Sequence, residues 1–547
     1  MSRYLALVSR LIFTFALPRS VLATFPIVIC PDVSYIGLRN ATAGQDCFLG
    51  IPFAEPPIGP LRFKPPVKRS HEHIAIVNAT HEGNSCEQAV VSTTNSISED
   101  CLALNIWKPT NVTENVPVVV WIFGGGFYVG DIHSYPGTYF VQRSIEIGKP
   151  VIYVAINYRL GLYGFPPGQA AADAGALNLG LKDQRLALEW VQWNIEYFGG
   201  DRNKVTIFGN SAGAISSSYQ SLYRGGNIKG AFRSMILGSG APSTLYVRQP
   251  NDPVREQAFR FIVNATGCAA ASNQFECIRA APASVLSQAN KDVVKVDPYY
   301  SSVGRVPATT GPTTAPGDDF LPDQPAKLIH SGRFAKVPFI SGSQLDEGTV
   351  FVDGANANSD QDLIDLAATV DISNEAMEEL LQYYPTPPEY GSPYNTGNQT
   401  FGQGTQYKRF ASIYGDYAFQ AARRDQLNVA QKFGVKVWAY IMFEKPLDFV
   451  PLYGIRHGGN VPFFMQSYGV SNVTATPAQV DLQRAIGDYW IAFAYNLDPN
   501  PPAELNHPEW PAYGSNKTAL QLLSSNITLV QDTNRTDATD FIIKLYG

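Results

Sequence analysis

The pentapeptide Gly209-Asn210-Ser211-Ala212-Gly213 places a serine between two glycines. The β-branched, apolar run 205–208 before it predicts a buried strand, and the small residues from 212 to 223 predict a helix. A serine at such a strand-to-helix turn has a strained backbone, and the flanking glycines let neighbouring segments approach it closely. Its hydroxyl then lies at a helix N-terminus, where amide groups favour negative charge. A chance match to so short a pattern is the alternative, but the flanks favour Ser211 as a nucleophile.

A nucleophilic serine needs backbone donors for an oxyanion, and a glycine run offers them. The apolar residues 118–122 predict a second buried strand, which leads into Phe123-Gly124-Gly125-Gly126-Phe127. Consecutive glycines leave amide groups free to face a substrate, so Gly125 and Gly126, with the amide of Ala212, would form an oxyanion hole. A phosphate-binding loop is the alternative, but no Gly-Lys-Ser/Thr sequence follows the glycines.

The general base is sought among only seven histidines. His457 follows the strand-like segment 435–441 and lies in the loop 454–460, which is where a fold of this kind delivers its imidazole. We therefore expect His457 to be the base. The other six lie in loop-rich or turn sequence and are His71, His73, His81, His133, His330 and His507.

The acid that orients the imidazole should lie between the serine and the histidine in chain order. The strand-like segment 336–340 is followed by a turn that contains Asp346 and Glu347. We favour Glu347 as the acid. Asp346 is the alternative, and the sequence does not decide between the two. Adjacent carboxylates on a loop are usually just solvated, so we expect the one that is not the acid to face the solvent.

Taken together, these motifs resemble a secreted fungal type-B carboxylesterase/lipase of the cholinesterase-related α/β-hydrolase family. The resemblance covers nearly everything after about residue 44. It implies a Ser211–Glu347–His457 triad and favours Glu347 over Asp346. Besides the serine pentapeptide, the glycine run and the turn at 346–349, it rests on the segments Glu99–Trp107, Asn157–Arg159, Gly180–Arg185, Phe198–Asp201, Gly454–Asn460 and Asp498–Asn500.

The fold class follows from alternating strand and helix patterns in the N-terminal half. They predict an α/β-hydrolase fold with a mostly parallel central sheet and helices on both faces. The length of 547 residues would suggest several domains. However, three triad residues that must meet cannot belong to independent units, so we expect one domain over 24–547. The Pro/Gly/Thr-rich stretches Val306–Pro325 and Tyr383–Thr405 are expected to be surface loops.

The N-terminus has the features of a secretory signal peptide. Arg3 and Arg10 precede an apolar core at 11–17, and small residues allow cleavage after Ala23. No later apolar segment reaches the ~20 residues that a membrane span needs. We therefore expect a signal peptide at 1–23 and a secreted, extracellular protein.

Charge and sequons agree with that location. The net charge of −6, without basic clusters, argues against nucleic acid or an anionic membrane as the partner. The expected partner is a small-molecule or lipid ester. Sequons for N-glycosylation are characteristic of secreted chains, and nine occur, at Asn40, Asn78, Asn111, Asn264, Asn398, Asn472, Asn516, Asn526 and Asn534.

Six cysteines in a secreted chain predict disulfides rather than a metal site. Sequence alone allows fifteen pairings. The family resemblance selects Cys86–Cys101 and Cys268–Cys277, which leaves Cys30–Cys47 as an expected third bridge. His71 and His73 imitate a metal pair, but two loop histidines without a third ligand are usually solvated. We predict no metal and no cofactor.

The expected activity is serine carboxylic-ester hydrolysis through an acyl-enzyme. A triacylglycerol lipase is the alternative, and a non-catalytic cholinesterase-like binding protein is a second one. Two positions depart from the family pattern, because Asn210 and Asn460 stand where the family usually has carboxylates. If they face each other behind the triad, they form one coupled change, and independent drift is the other interpretation. Only fourteen residues separate Cys86 from Cys101, which predicts a fixed pocket rim rather than a mobile lid.

Overall fold

The computed structural model describes residues 25–70, 75–90, 95–112, 115–297, 307–352, 354–367, 372–467 and 475–546. The expected signal peptide, His71, His73 and the sequon at Asn472 lie outside the described residues. Within those ranges no helix is long and apolar enough to cross a membrane.

One large sheet of eleven strands forms the centre of the fold, in the order β16-β15-β14-β13-β12-β11-β9-β10-β8-β4-β3. The strands from β15 to β10 in that order run parallel, and the pairs at both ends of the sheet are antiparallel. A three-stranded sheet, β1-β2-β5, and a two-stranded sheet, β6-β7, lie beside it. The strands are β1 Ile27–Ile29, β2 Val33–Ile36, β3 Leu38–Asn40, β4 Gln45–Pro52, β5 Ala75–Asn78, β6 Ser85–Cys86, β7 Ile97–Ser98, β8 Ala103–Pro109, β9 Val116–Ile122, β10 Ile152–Ile156, β11 Gly200–Asn210, β12 Ser234–Gly238, β13 Phe339–Gln344, β14 Val437–Met442, β15 Thr518–Leu522 and β16 Thr528–Gln531.

Helices cover both faces of the large sheet, as the sequence pattern predicts. The helices are α1 Thr138–Glu146, α2 Gly161–Gly164, α3 Gln169–Asp173, α4 Leu179–Asn194, α5 Ala212–Gly226, α6 Pro253–Ala265, α7 Gln274–Ala280, α8 Ala283–Val293, α9 Pro325–His330, α10 Asp360–Ala367, α11 Asn374–Tyr383, α12 Tyr407–Gly415, α13 Ala421–Lys432, α14 Val461–Phe464, α15 Pro477–Asn496 and α16 Thr536–Leu545. A short π-helical segment, Asp416–Gln420, joins α12 to α13.

The central strands are apolar because both of their faces are buried. All seven residues of β9 and all five of β10 are buried. Near-continuous apolar runs of this kind are typical of parallel strands covered by helices on both sides. The carboxyl ends of parallel strands meet at one edge of the sheet, and this edge is where ligands bind in such folds. The loops that follow β9, β11, β13 and β14 carry the predicted site residues.

Part of the stretch Val306–Pro325 is buried, whereas its composition predicts a surface loop. From 307 onward it lies within the described residues, and Thr309–Thr314 is buried throughout. The side chain of Asn178 forms two hydrogen bonds with the backbone of Thr313, at 2.8 and 2.9 Å. The guanidinium group of Arg255 donates to the carbonyls of Gly311 and Pro312, both at 3.2 Å. A loop can be buried where side chains satisfy its backbone polar groups in this way.

Two of the three expected disulfides are present. Cys86 is bonded to Cys101 and Cys268 to Cys277. The expected third bridge is wrong, because Cys30 and Cys47 are free, buried thiols. Cys30 follows β1 in the small sheet, whereas Cys47 lies within β4 of the large sheet. Burial raises the pKa of Cys30 to about 11 and that of Cys47 to about 12, which keeps both thiols protonated and unreactive.

Candidate active site

The turn between β11 and α5 holds Ser211 on a strained backbone. Its φ is 57° and its ψ is −130°, a conformation that a residue with a side chain rarely adopts. The Ser211 N–H donates to the Gly238 carbonyl at 2.8 Å, which ties the turn to β12. A β-carbon at Gly209 would collide with the backbone of Gly213, and one at Gly213 would collide with the Ile122 carbonyl. Both glycines of the pentapeptide are therefore required by close backbone contacts.

Three side chains from three different loops form a continuous hydrogen-bonded row. His457 Nδ1 lies 2.6 Å from Glu347 Oε2, and His457 Nε2 lies 2.8 Å from Ser211 Oγ. Glu347 is only 1% exposed, and its second oxygen accepts from the Gln344 N–H at 2.7 Å. An ionised carboxylate only accepts, so the ring proton of a neutral His457 belongs on Nδ1. Nε2 is then free to accept the proton of the serine hydroxyl.

Asp346 is buried and holds two loops together, whereas its place on a loop beside another carboxylate predicts a solvated side chain. Its Oδ1 accepts from Ser392 Oγ at 2.7 Å and from the Tyr394 N–H at 2.9 Å. Its Oδ2 accepts from the Ile455 N–H at 2.9 Å. Burial raises the pKa of Asp346, although these three donors act in the opposite direction. Asp346 therefore fixes the loop that carries His457, and its hydrogen bonds are made to the backbone and a hydroxyl.

The glycine run lies against the serine turn. A β-carbon at Gly124 would lie 2.6 Å from the Asn210 carbonyl oxygen, so only glycine fits there. Gly125 and Gly126 have positive φ angles of 108° and 61°. Among the described residues, the amide groups of Gly125, Gly126 and Ala212 have no hydrogen-bond partner of their own. These three amides are free to donate to an oxygen beside Ser211.

A cavity of about 470 Å³ opens onto the serine, the glycine run and His457. Its remaining wall is mainly apolar and aromatic, which suits an ester with a hydrocarbon acyl or alcohol group. Phe351 and Phe419 also contact the His457 ring, with ring centroids 4.9 and 4.7 Å apart. The apolar and aromatic lining comprises Trp121, Tyr128, Val129, Tyr135, Ile215, Leu245, Phe351, Tyr414, Phe419, Val461 and Pro462.

The loop closed by Cys86–Cys101 is tied to the segment after the glycine run by Gln88, a residue that no sequence motif marks. Gln88 is 1% exposed. Its Nε2 donates to the Gly130 carbonyl at 3.0 Å, and its Oε1 accepts from the Gly130 N–H at 3.1 Å. The Ala89 N–H donates to the Tyr128 carbonyl at 3.1 Å. No pattern in the sequence signals these contacts, because the two segments are about 40 residues apart.

Asn210 and Asn460 are in contact behind the row. In the amide orientation that satisfies both groups, Asn210 Nδ2 donates to Asn460 Oδ1 at 3.2 Å and to the Gly238 carbonyl at 3.2 Å. Asn210 is 3% and Asn460 0% exposed, so neither amide is solvated. The pair therefore forms a buried, uncharged contact close to the serine turn.

The other described histidines lie away from this row and have their own partners. His133 pairs with Glu82, His330 with Asp425 at 2.8 Å and His507 with Asp488 at 2.7 Å. His81 lies beside the Thr80 hydroxyl at 2.8 Å. None of these four contacts a serine in the arrangement that His457 has. Within the described ranges, no group of three or more His, Cys, Asp or Glu side chains is placed to hold a metal ion.

Comparisons with known proteins identify the family to which the chain belongs. The sequence profile of the carboxylesterase family matches residues 35–542. The chain is 35% identical to secreted lipase 1 of Botryotinia fuckeliana over 94% of this chain and 92% of that protein. It is 35% identical to lipase 1 of Geotrichum candidum over 91% of each. The crystal structure of Aspergillus niger EstA superposes with a TM-score of 0.82 at 27% identity, covering 96% of this chain and 98% of that one. The chain therefore belongs to the carboxylesterase family and is a hydrolase of carboxylic esters.

Proposed function

We propose that the chain is a secreted serine carboxylesterase with Ser211 as nucleophile, His457 as general base and Glu347 as the orienting acid. The observation that carries this proposal is the unbroken hydrogen-bonded row of 2.6 and 2.8 Å from Glu347 through His457 to Ser211. Such a row activates a hydroxyl that is otherwise a weak nucleophile.

The reaction follows from the positions of these groups. His457 Nε2 takes the proton of Ser211 as the oxygen attacks the ester carbonyl, and Glu347 stabilises the imidazolium. The free amides of Gly125, Gly126 and Ala212 bind the oxyanion. The alcohol leaves with the proton from His457, and the acyl group stays on Ser211. Water then attacks the acyl-enzyme with His457 again as base, which releases the acid, so the residues described supply every proton transfer.

The preferred substrates are dissolved esters of short or medium chain length. At the start of the Cys86–Cys101 loop, Gln88 and Ala89 form three hydrogen bonds with the segment after the glycine run. The loop is therefore a fixed rim of the pocket. A fixed rim leaves the 470 Å³ cavity open without a lipid surface. Hydrolysis of p-nitrophenyl esters of increasing chain length measures the preference, which we expect to favour short and medium acyl chains.

A triacylglycerol lipase is the second candidate, since relatives of similar length are named lipases. One is the secreted triacylglycerol lipase of Gibberella zeae, 32% identical over 94% of this chain and 89% of that protein. The two candidates differ at the solubility limit of the substrate. The esterase shows no jump in rate as a triglyceride passes from solution to emulsion. A clear jump would assign a lid to another segment and make the protein a lipase.

We also propose that the mature protein is a single α/β-hydrolase domain over 24–547, exported by the signal peptide at 1–23. Support comes from the site itself, because Ser211, Glu347 and His457 belong to loops after β11, β13 and β14 of one sheet. Relatives from two fungi are named secreted lipases. N-terminal sequencing of protein from the culture medium tests the cleavage site, and limited proteolysis tests for a second stable unit.

Replacement of the nucleophile tests the catalytic assignment. Ser211→Ala should reduce kcat by several orders of magnitude and leave the thermal unfolding midpoint within a few degrees of the wild type. A folded variant with near wild-type turnover would exclude the serine mechanism. A binding protein without activity, the other alternative, predicts that the wild type neither hydrolyses esters nor reacts with a fluorophosphonate probe.

A further inference from the structure

The small sheet β1-β2-β5 has an outer face on which four of the six residues are isoleucines. The register of its strands places Ile27 opposite Ile36 and Ile36 opposite Asn78, and it places Ile29 opposite Ser34 and Ser34 opposite Ile76. Residues that are opposite each other in neighbouring strands share a face of the sheet. The outer face therefore consists of Ile27, Ile29, Ser34, Ile36, Ile76 and Asn78, and we call it the isoleucine face.

Three isoleucines of this face are exposed to solvent. Ile27 is 50%, Ile29 71% and Ile76 72% exposed. The opposite face packs inward, where Tyr35 contacts the rings of Trp190 and Phe198. Single exposed apolar side chains are ordinary, but a group of them on one face of a small sheet marks a contact surface or an aggregation site.

The open edges of this sheet add to the risk that the exposed isoleucines cause self-association. Both β1 and β5 are edge strands, with backbone groups that can pair with another chain. Natural edge strands usually carry lysine, another charge or proline as protection. The strand sequences are Ile-Val-Ile, Val-Ser-Tyr-Ile and Ala-Ile-Val-Asn, so no strand of this sheet carries a charge or a proline. The side chains of these strands therefore give the edges no protection of that kind.

A glycosylation sequon lies on this same face. Asn78-Ala79-Thr80 places an exposed asparagine at the end of β5, directly beside Ile36. The Thr80 hydroxyl donates to Asn78 Oδ1 at 2.7 Å, and the Thr80 N–H donates to the same oxygen at 3.2 Å. Within the described chain, Asn78 Nδ2 has no hydrogen-bond partner. The nitrogen that would carry a sugar is thus the unbonded atom of an exposed side chain.

We propose that Asn78 carries an N-linked glycan and that this glycan covers the isoleucine face and prevents self-association. In the transfer, Asn78 Nδ2 loses one proton and bonds to the anomeric carbon of the first sugar. The bond between that carbon and the oxygen of a lipid-diphosphate carrier breaks, and the lipid diphosphate leaves. A bulky, hydrated oligosaccharide beside Ile36 screens both the apolar side chains and the open strand edges.

This proposal rests on the secretion proposed above and is independent of the ester chemistry. The test uses the full chain secreted from a eukaryotic host. Peptide mass spectrometry after N-glycosidase treatment detects Asn78 converted to Asp, and the N-terminal peptide of the same sample shows whether the leader was removed. We expect Asn78 to be occupied. An unmodified Asn78 in a secreted chain with its leader removed overturns the proposal.

Removal of the sugar tests its role. Asn78→Gln should convert the monomer peak in size-exclusion chromatography into oligomers, with hydrolysis of a short ester per folded chain unchanged. The matched control is Asn398→Gln, which removes an exposed sequon from a loop of polar neighbours and should keep the monomer peak. Adding Ile29→Thr and Ile76→Thr to Asn78→Gln should restore the monomer.

Two outcomes of this second experiment contradict the proposal. A monodisperse Asn78→Gln protein would show that the face needs no cover. A wild type that is a dimer and is dissociated by Ile29→Thr would make the face an interface between two copies of the chain. If Asn78→Gln is not secreted, enzymatic removal of the sugar from the folded wild type makes the same comparison, and a monomer that persists afterwards again overturns the proposal.

Discussion

Glu347→Gln tests whether Glu347, rather than the adjacent Asp346, is the acid that orients His457. The carboxylate of Glu347 accepts from two fixed donors, the Gln344 N–H at 2.7 Å and His457 Nδ1 at 2.6 Å. A glutamine has one acceptor oxygen and one donor nitrogen, so it can satisfy only one of these donors. If its oxygen keeps the backbone N–H of Gln344, its nitrogen donates to Nδ1 and forces the ring proton onto Nε2. His457 then cannot accept the proton of Ser211.

The alternative orientation is also unfavourable. With the glutamine oxygen facing His457, its nitrogen faces the Gln344 N–H, and a buried donor without a partner costs about 1–3 kcal/mol. The negative charge that stabilises the imidazolium is lost in both orientations. An amide replacing the triad carboxylate lowers kcat about 10⁴-fold in a serine protease, which corresponds to about 5.5 kcal/mol. We expect a loss of about 10³–10⁴ in kcat with little change in KM.

Asp346→Asn is the matched control, because it makes the same chemical change one residue away. It should lose the hydrogen bond to Ile455 or those to Ser392 and Tyr394, each worth about 1.5–3 kcal/mol for a charged acceptor. We therefore expect a lower unfolding midpoint but a kcat within about tenfold of the wild type for the folded protein. The assay is steady-state hydrolysis of p-nitrophenyl butyrate together with thermal unfolding of each variant. A large loss of kcat in Asp346→Asn, with Glu347→Gln active, would refute the assignment of the acid.

Contacts around the site and in the core predict the effects of three further changes. Gln88→Leu removes both hydrogen bonds to Gly130 and should lower kcat more than it raises KM. The control is Gln192→Leu, which loses two hydrogen bonds to carbonyl groups away from the site and should leave kcat unchanged. Equal kcat values for the two variants would show that the glycine run is held without Gln88. The effects of Asn210→Glu and Asn460→Asp on kcat, converted to activation free energies, should differ from additivity in the double variant by about 0.5–3 kcal/mol. Additive effects of the two changes would exclude a functional pair. Burial raises the pKa of the Asp532 carboxyl, but Arg423 and Arg424 outweigh it and hold that pKa well below its ordinary value. The stabilisation by the ionised Asp532 is therefore present above the pKa of the carboxyl in the unfolded chain, and it is lost as the pH falls through the pKa in the folded protein. Urea unfolding should show that Asp532→Asn lowers the free energy of unfolding by about 3–5 kcal/mol at pH 7 and by less in acid. A difference that is independent of pH would contradict this sign.

The sequence by itself determined the parts of the site that depend on contiguous residues. The pentapeptide around Ser211 encodes its own turn, because the two glycines are the only residues that fit the close backbone contacts there. The glycine run at 124–126 is recognisable for the same reason. The order of serine, acid and histidine, and the apolar strands before them, also follow from local pattern and predict the fold class.

Only the tertiary structure decided what depends on distant segments. Asp346 and Glu347 are adjacent and chemically alike, yet one turns to Ser392 and Ile455 and the other to His457. The same reason explains the free thiols of Cys30 and Cys47, which lie in different sheets, and the burial of Thr309–Thr314, whose backbone is satisfied by side chains more than 50 residues away. Spacing along the chain fixes which backbone a residue can adopt, but the direction of its side chain and the partners it meets are set by how the strands and loops pack.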